Sequence, residues 1–150
     1  MNPEFKRMVE LAGLKEISVN APGPLSRINT LKAQIDASTD KKEKIKLAAQ
    51  CVKIALYIFK EVYPKDFGPK RAIDAVELYL EKPSSETRRF LSMAEEKAHQ
   101  SSWTASEDNN GAAAYVASAA AGLAALIYER ADDASLIADD ILKAIELHGK

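Results

Sequence analysis

Apolar residues recur at three- and four-residue intervals along most of the chain, which predicts an all-α fold, a compact single-domain bundle of about six to seven helices. The longest strand-like alternation is Glu16-Ile17-Ser18-Val19, too short to argue for a sheet. Asn2 and Pro3 start a short amphipathic helix carrying Phe5, Met8, Val9 and Leu11, which the Gly13 region ends. The loop Asn20-Ala21-Pro22-Gly23-Pro24 leads into a second helix from about Leu25 to Ala37, with Ile28, Leu31 and Ile35 on one face. Ser38-Thr39-Asp40 then caps a longer third helix running to Tyr63. Two stripes, Ile45-Ala48-Val52-Leu56-Phe59-Tyr63 and Leu47-Cys51-Ile54-Ile58, leave Lys46, Gln50, Lys53 and Lys60 on a narrow polar strip. A helix apolar over so much of its circumference is expected at the centre of the bundle.

The run Tyr63-Pro64-Lys65-Asp66-Phe67-Gly68-Pro69 reads as a helix end, a stiff corner and a helix start. Pro64 cannot continue a helix, because it lacks an N–H and pushes Tyr63 out of the α region. Gly68 suits an N-cap and Pro69 the first helical position, where a missing N–H costs nothing. The fourth helix thus begins at Pro69 and places Ala72, Ile73, Val76, Tyr79 and Leu80 opposite Lys70, Arg71, Asp74, Glu77 and Glu81. Pro83-Ser84-Ser85-Glu86 ends it and starts a fifth, roughly Ser85 to Trp103, whose charge density predicts an exposed position. After the break at Glu107-Asp108-Asn109-Asn110-Gly111 a sixth helix extends to about Ala131. A seventh, capped by Asp132 or Asp133 and ended by Gly149, carries Ile137, Ile141, Ala144, Ile145 and His148 on one face.

Asn109 to Tyr128 holds no charged residue and has the length of a membrane span. Its composition points elsewhere: most of it is Ala, Gly and Ser, with only Val116, Leu123, Leu126 and Ile127 strongly apolar, so insertion would gain little. Ser118 and Gly122, and Ala117 and Ala121, lie four apart and predict close approach of neighbouring helices, toward the short end of the usual ~8–10 Å. The small-residue helix, or an exposed apolar face, also allows a homodimer.

A chain of 150 residues with 47% hydrophobic and 29% charged content suits one domain over 1–150, with N-terminal helices in 1–40 and a helical core in 41–150. One cysteine permits no intramolecular disulfide, and the polar start Asn2-Pro3-Glu4 is unlike a secretory signal, so a cytoplasmic location is expected. Net charge is only −1 but unevenly spread: 15 basic against 11 acidic residues through Lys82, then 6 against 11.

The chemical inventory is thin, with two histidines, no Gly-rich phosphate loop and no nucleophile elbow. No catalytic residue, cofactor or metal is assigned. Glu95 and His99, one helical turn apart, supply two of the three or four ligands a zinc site needs, so a metal-dependent enzyme stands only as a distant alternative. Cys51 among Leu47, Val52, Ile54 and Ala55 reads as a small buried hydrophobe. Lys41-Lys42-Glu43-Lys44-Ile45-Lys46, with Lys53, offers a basic face for a nucleic-acid-binding regulator, but it has no interleaved aromatics and suits a solvated face better. Asp132 and Asp133 suit a helix start; Asp139 and Asp140 do not, which makes them candidates for a basic partner, calcium being disfavoured by the missing Asp-x-Asp-x-Asp-Gly pattern.

The corner Tyr63-Pro64-Lys65-Asp66, continued by Pro69-Lys70-Arg71-Ala72-Ile73-Asp74-Ala75, resembles a pattern in a family of small all-helical immunity proteins of bacterial polymorphic-toxin systems, the fifth type. That pattern is an aromatic or apolar residue, Pro, a short acidic stretch, Pro-Arg and Ala-Ile-Glu-Ala. With the alanine-rich and final helices, the resemblance spans about residues 48 to 147. It implies a non-enzymatic protein that binds and neutralises a cognate toxin or effector. On that expectation a charged patch speeds association and anchors slow release. The candidate contacts are Asp132, Asp133, Asp139 and Asp140 toward a basic partner, with Trp103 and Tyr115 as aromatic anchors; Trp103 suits the core equally well.

Overall fold

The computed structural model describes residues 23–128 and 134–149. They form six helices: α1 (Pro24–Ala37), α2 (Lys41–Val62), α3 (Gly68–Glu81), α4 (Ser85–Glu107), α5 (Gly111–Tyr128) and α6 (Ala134–His148), with no strand among the described residues. The helix expected around Phe5–Leu11, the Glu16–Val19 segment and the cap candidates Asp132 and Asp133 lie outside them.

Local chemistry sets most of the boundaries. Asp40 caps α2, its Oδ1 accepting from the N–H groups of Lys42 at 2.9 Å and Glu43 at 3.5 Å. Ser84 caps α4 through a reciprocal box: its hydroxyl accepts from the Thr87 N–H, and the Thr87 hydroxyl accepts from the Ser84 N–H, both at 3.0 Å. The α4–α5 turn uses two asparagines. Asn109, at φ 59°, takes the left-handed position after α4, where its N–H meets the Ser106 carbonyl and the Asn110 N–H reaches back to Ala105. Asn110 then caps α5 by accepting from the Ala113 N–H at 3.2 Å.

Three boundaries or placements differ from the sequence reading. Phe67 rather than Gly68 is the residue preceding α3, which shifts Gly68 and Pro69 into its first turn. Helix α4 continues past Trp103 to Glu107, because Ser101 and Ala105 keep its buried stripe in phase through a stretch poor in large apolar residues. The centre is held by α5 rather than by α2. Both touch four other helices, but α5 buries ten of its eighteen residues, seven of them alanine, while α2 buries nine of twenty-two. Alanine explains the difference, since a helix with short side chains admits neighbours on all sides.

Helix α5 is 18 residues long with a mean hydropathy of 1.6, enough by length and composition to cross a membrane, yet α2, α3, α4 and α6 pack around it. Its small-residue surfaces are consumed inside the molecule. Ala117 and Ala121 are fully buried, and a Cβ on Gly122 would come within 2.9 Å of Ile137 Cδ1; Ser118 alone of that set faces outward. Helix α4 lies antiparallel to α5, with Ser102 near Ala114 at one end and Arg88 over the Tyr128 ring at the other, 4.7 Å from its centroid. Helix α6 is likewise antiparallel to α5, and α1 closes the far side by packing on α2 and α6. Phe59, Ile28, Ile35, Ile45, Ile58, Ile73, Leu91, Leu123 and Ile141 are the large side chains at the core.

Candidate functional site

The corner between α2 and α3 fastens those helices to the C-terminal half of α4. Tyr63 donates its phenolic hydrogen to Asp108 Oδ2 at 2.6 Å, which holds the phenol neutral up to about 12. Asp66 Oδ1 accepts from the Gly68 N–H at 2.9 Å, closing the turn, and both Asp66 oxygens stand 2.9 Å from the Ser101 hydroxyl. Gly68 sits so close to α4 that an added Cβ would lie 2.2 Å from Ser101 Oγ and 3.1 Å from the Lys97 carbonyl. The sequence pattern at this corner is therefore explained by docking of α3 on α4.

What the corner positions is the outward face of α4 and the start of α5. Trp103 stands 69% exposed on α4, so the core reading of this residue does not hold. Beside it a hollow of about 540 Å³ is lined by His99, Ser102, Ser106 and Glu107, and a second of about 480 Å³ by Ser102, Ser106, Asn109, Gly111, Ala114, Tyr115 and Ser118. Ser102 and Ser106 border both. Trp103 thus borders one hollow and the half-buried Tyr115 the other, with the Ser102 and Ser106 hydroxyls between them. Glu96, Gln100 and Thr104 surround the indole on its other side. From Glu95 to Asp108 the helix carries four carboxylates, Glu95, Glu96, Glu107 and Asp108, against one cation, Lys97, so the face is acidic. An exposed indole with a polar rim around it has the composition of an anchor at protein-recognition surfaces.

The other candidates fall elsewhere. Asp139 has an internal role, pairing with Lys32 of α1 and tying α1 to α6; this bond and the attraction between the charges raise the Lys32 pKa. Asp140 is partly buried, and burial, followed by the Asp139 charge, raises its carboxyl above the usual range. No contact joins α6 to α4, so these aspartates do not share the Trp103 surface. Asp132 and Asp133 lie outside the described residues. In the basic run, Lys42, Lys46 and Lys53 share a groove with Glu77 and Glu81 of α3, and Lys53 pairs with Glu77, which offsets the positive field a polyanion would need. Glu95 Oε2 and His99 Nε2 approach to 3.7 Å on an exposed face, and among the described residues no group of three or more His, Cys, Asp and Glu side chains converges. Cys51 is fully buried, and burial pushes its thiol up to about 12.

Sequence reasoning named Trp103 and Tyr115 but not the serines between them or the carboxylates beside them. Their signal is visible afterwards: Ser102 and Ser106 are four apart, and so face the same way as the α5 start once the tight Asn109-Asn110 turn pairs the helices.

The six packed helices define an all-helical protein with an exposed tryptophan on its outer α4 face. The family model described as Immunity protein Imm5 matches residues 12–144, and the chain belongs to this family. The matched span begins well upstream of the motif resemblance and takes in all of α1. Membership makes this a non-enzymatic protein of the toxin-neutralising class. None of the curated proteins and none of the solved structures matches the chain.

Proposed function

We propose that this protein neutralises, in the cytoplasm, a toxin with a basic surface, and that it does so through the face built around Trp103. One observation carries the reading: the chain's single tryptophan stands 69% exposed beside two serine hydroxyls that also border the hollow of Tyr115, amid carboxylates. An indole left in water is disfavoured for a monomer, and burying it against a partner supplies the large, rigid contact area that dominates interface energetics. Glu96, Glu107 and the other carboxylates of α4 speed encounter with a basic partner, while Ser102, Ser106 and Gln100 satisfy its polar groups around the anchor. Asp139 and Asp140, on α6, lie away from that face and take a secondary part in it; Asp132 and Asp133 stay as acidic candidates for the same basic partner.

The test is affinity capture with the full chain from cells expressing the neighbouring open reading frames, followed by binding measurements on the protein retained. Trp103→Ala is expected to weaken the complex by about 2 kcal/mol or more while leaving the melting temperature of the free chain unchanged. A partner bound equally well by the variant removes Trp103 from the interface and with it this assignment.

A further inference from the structure

We propose that the groove between α3 and α4, on the flank of α4 away from α5, is a second docking surface that takes an acidic amphipathic segment of a protein partner. Phe90 and Met93 lie one turn apart on α4 and are 47% and 62% exposed, although the apolar pattern of the helix leads one to expect them inside. Ala75 of α3 and Ala94 of α4 are too short to fill the space between the helices, and a hollow of about 350 Å³ remains. Arg71 from α3 and Lys97 from α4 stand at its rim.

Neither cation forms an ion pair among the described residues, whereas Lys32, Lys53, Lys70 and Lys143 all do. Arg71 stands in the first turn of α3, which carries no acidic residue, and there a positive charge opposes the helix dipole. Its placement is thus unexplained by the stability of its own helix. Apolar floor and cationic rim together match a helix or strand presenting large apolar side chains flanked by Asp or Glu. Two cations are too few for a polyanion or a membrane surface, which need an extended field. This surface is distinct from the Trp103 face and opposite to it in charge, so the proposal does not rest on the reading of that face.

The probe is a pool of peptides of about 15 residues with Leu or Phe at helical spacing and Asp and Glu around them, alongside a second pool in which every acid is replaced by lysine. Both are selected on the immobilised full-length chain, and binders are measured by fluorescence anisotropy. The acidic pool is expected to yield binders that lose about tenfold or more in affinity to the R71E/K97E variant and to Met93→Ser, with unchanged circular dichroism, because all three side chains are exposed. The charge-reversed variant should in turn gain binders from the lysine pool, a result that misfolding could not produce. Trp103→Ala should leave peptide binding intact, which separates this surface from the toxin-binding one. Failure of the acidic pool to bind, equal binding of both pools, insensitivity to R71E/K97E, or self-association of the chain through the groove would each overturn the proposal.

Discussion

Ser101 has one hydroxyl hydrogen and three acceptors within reach, the two Asp66 oxygens at 2.9 Å and the Lys97 carbonyl at 3.1 Å. Such a buried hydroxyl fixes the distance between α3 and α4, and Gly68 makes that distance attainable. Gly68→Ala is therefore expected to destabilise the protein by about 1–3 kcal/mol in urea denaturation. Since the clash is with Oγ, Gly68→Ala combined with Ser101→Ala should cost less than the sum of the single changes; strict additivity would contradict the packing explanation. Tyr63 offers a second check. Its hydrogen bond to Asp108, then burial, raise the phenol to about 12, so the neutral form is favoured by folding. The resulting stabilisation is fully present below the unfolded tyrosine value of about 10 and is lost as pH rises through the folded value. In an ultraviolet titration followed at the phenolate band, the component removed by Tyr63→Phe should ionise near 12, and Asp108→Asn should bring it down.

At the scale of elements, capping residues and proline positions gave the starts of α2 and α4 and the end of α2 directly, because each is decided by one or two side chains acting on their own backbone. Ser84→Ala removes one such decision and should cost about 1 kcal/mol of stability by the same denaturation measurement. The far end of α4 was hidden for the opposite reason. Its last turn contains Thr104, Ser106 and Glu107, which carry no apolar period, and only the burial of Ala105 and the left-handed Asn109 show where the helix stops. The position of α5 was also obscured by its composition. Large apolar side chains are most numerous in α2, whereas how deeply a helix sits among its neighbours depends on how short its side chains are, a property of the assembled bundle.

For the whole molecule, the candidate site was legible as two aromatic residues and illegible as a surface, because the hollows of Trp103 and Tyr115 come to share Ser102 and Ser106 only when α4 folds back on α5. The Asp139 pairing was hidden for a related reason: the carboxylate has no helix-end role, and its partner Lys32 is 107 residues away. Global stability has a built-in reporter in Cys51, fully buried with its thiol raised to about 12. A thiol reagent at pH 8 is expected to label the native protein only as fast as the bundle opens, with rates rising alongside urea and approaching the free-cysteine rate once unfolded; rapid labelling of the native state would place the cysteine nearer the surface. The alanine-rich centre has one more consequence. Alanine has no rotamers to rearrange, so the packing around α5 leaves few alternative arrangements for outer substitutions to disturb, and α4 commits only five of its twenty-three residues to that interior. The exposed positions of α4 can be exchanged while the centre stays as it is, so its outer face is free to vary in chemistry at little cost to the fold that carries it.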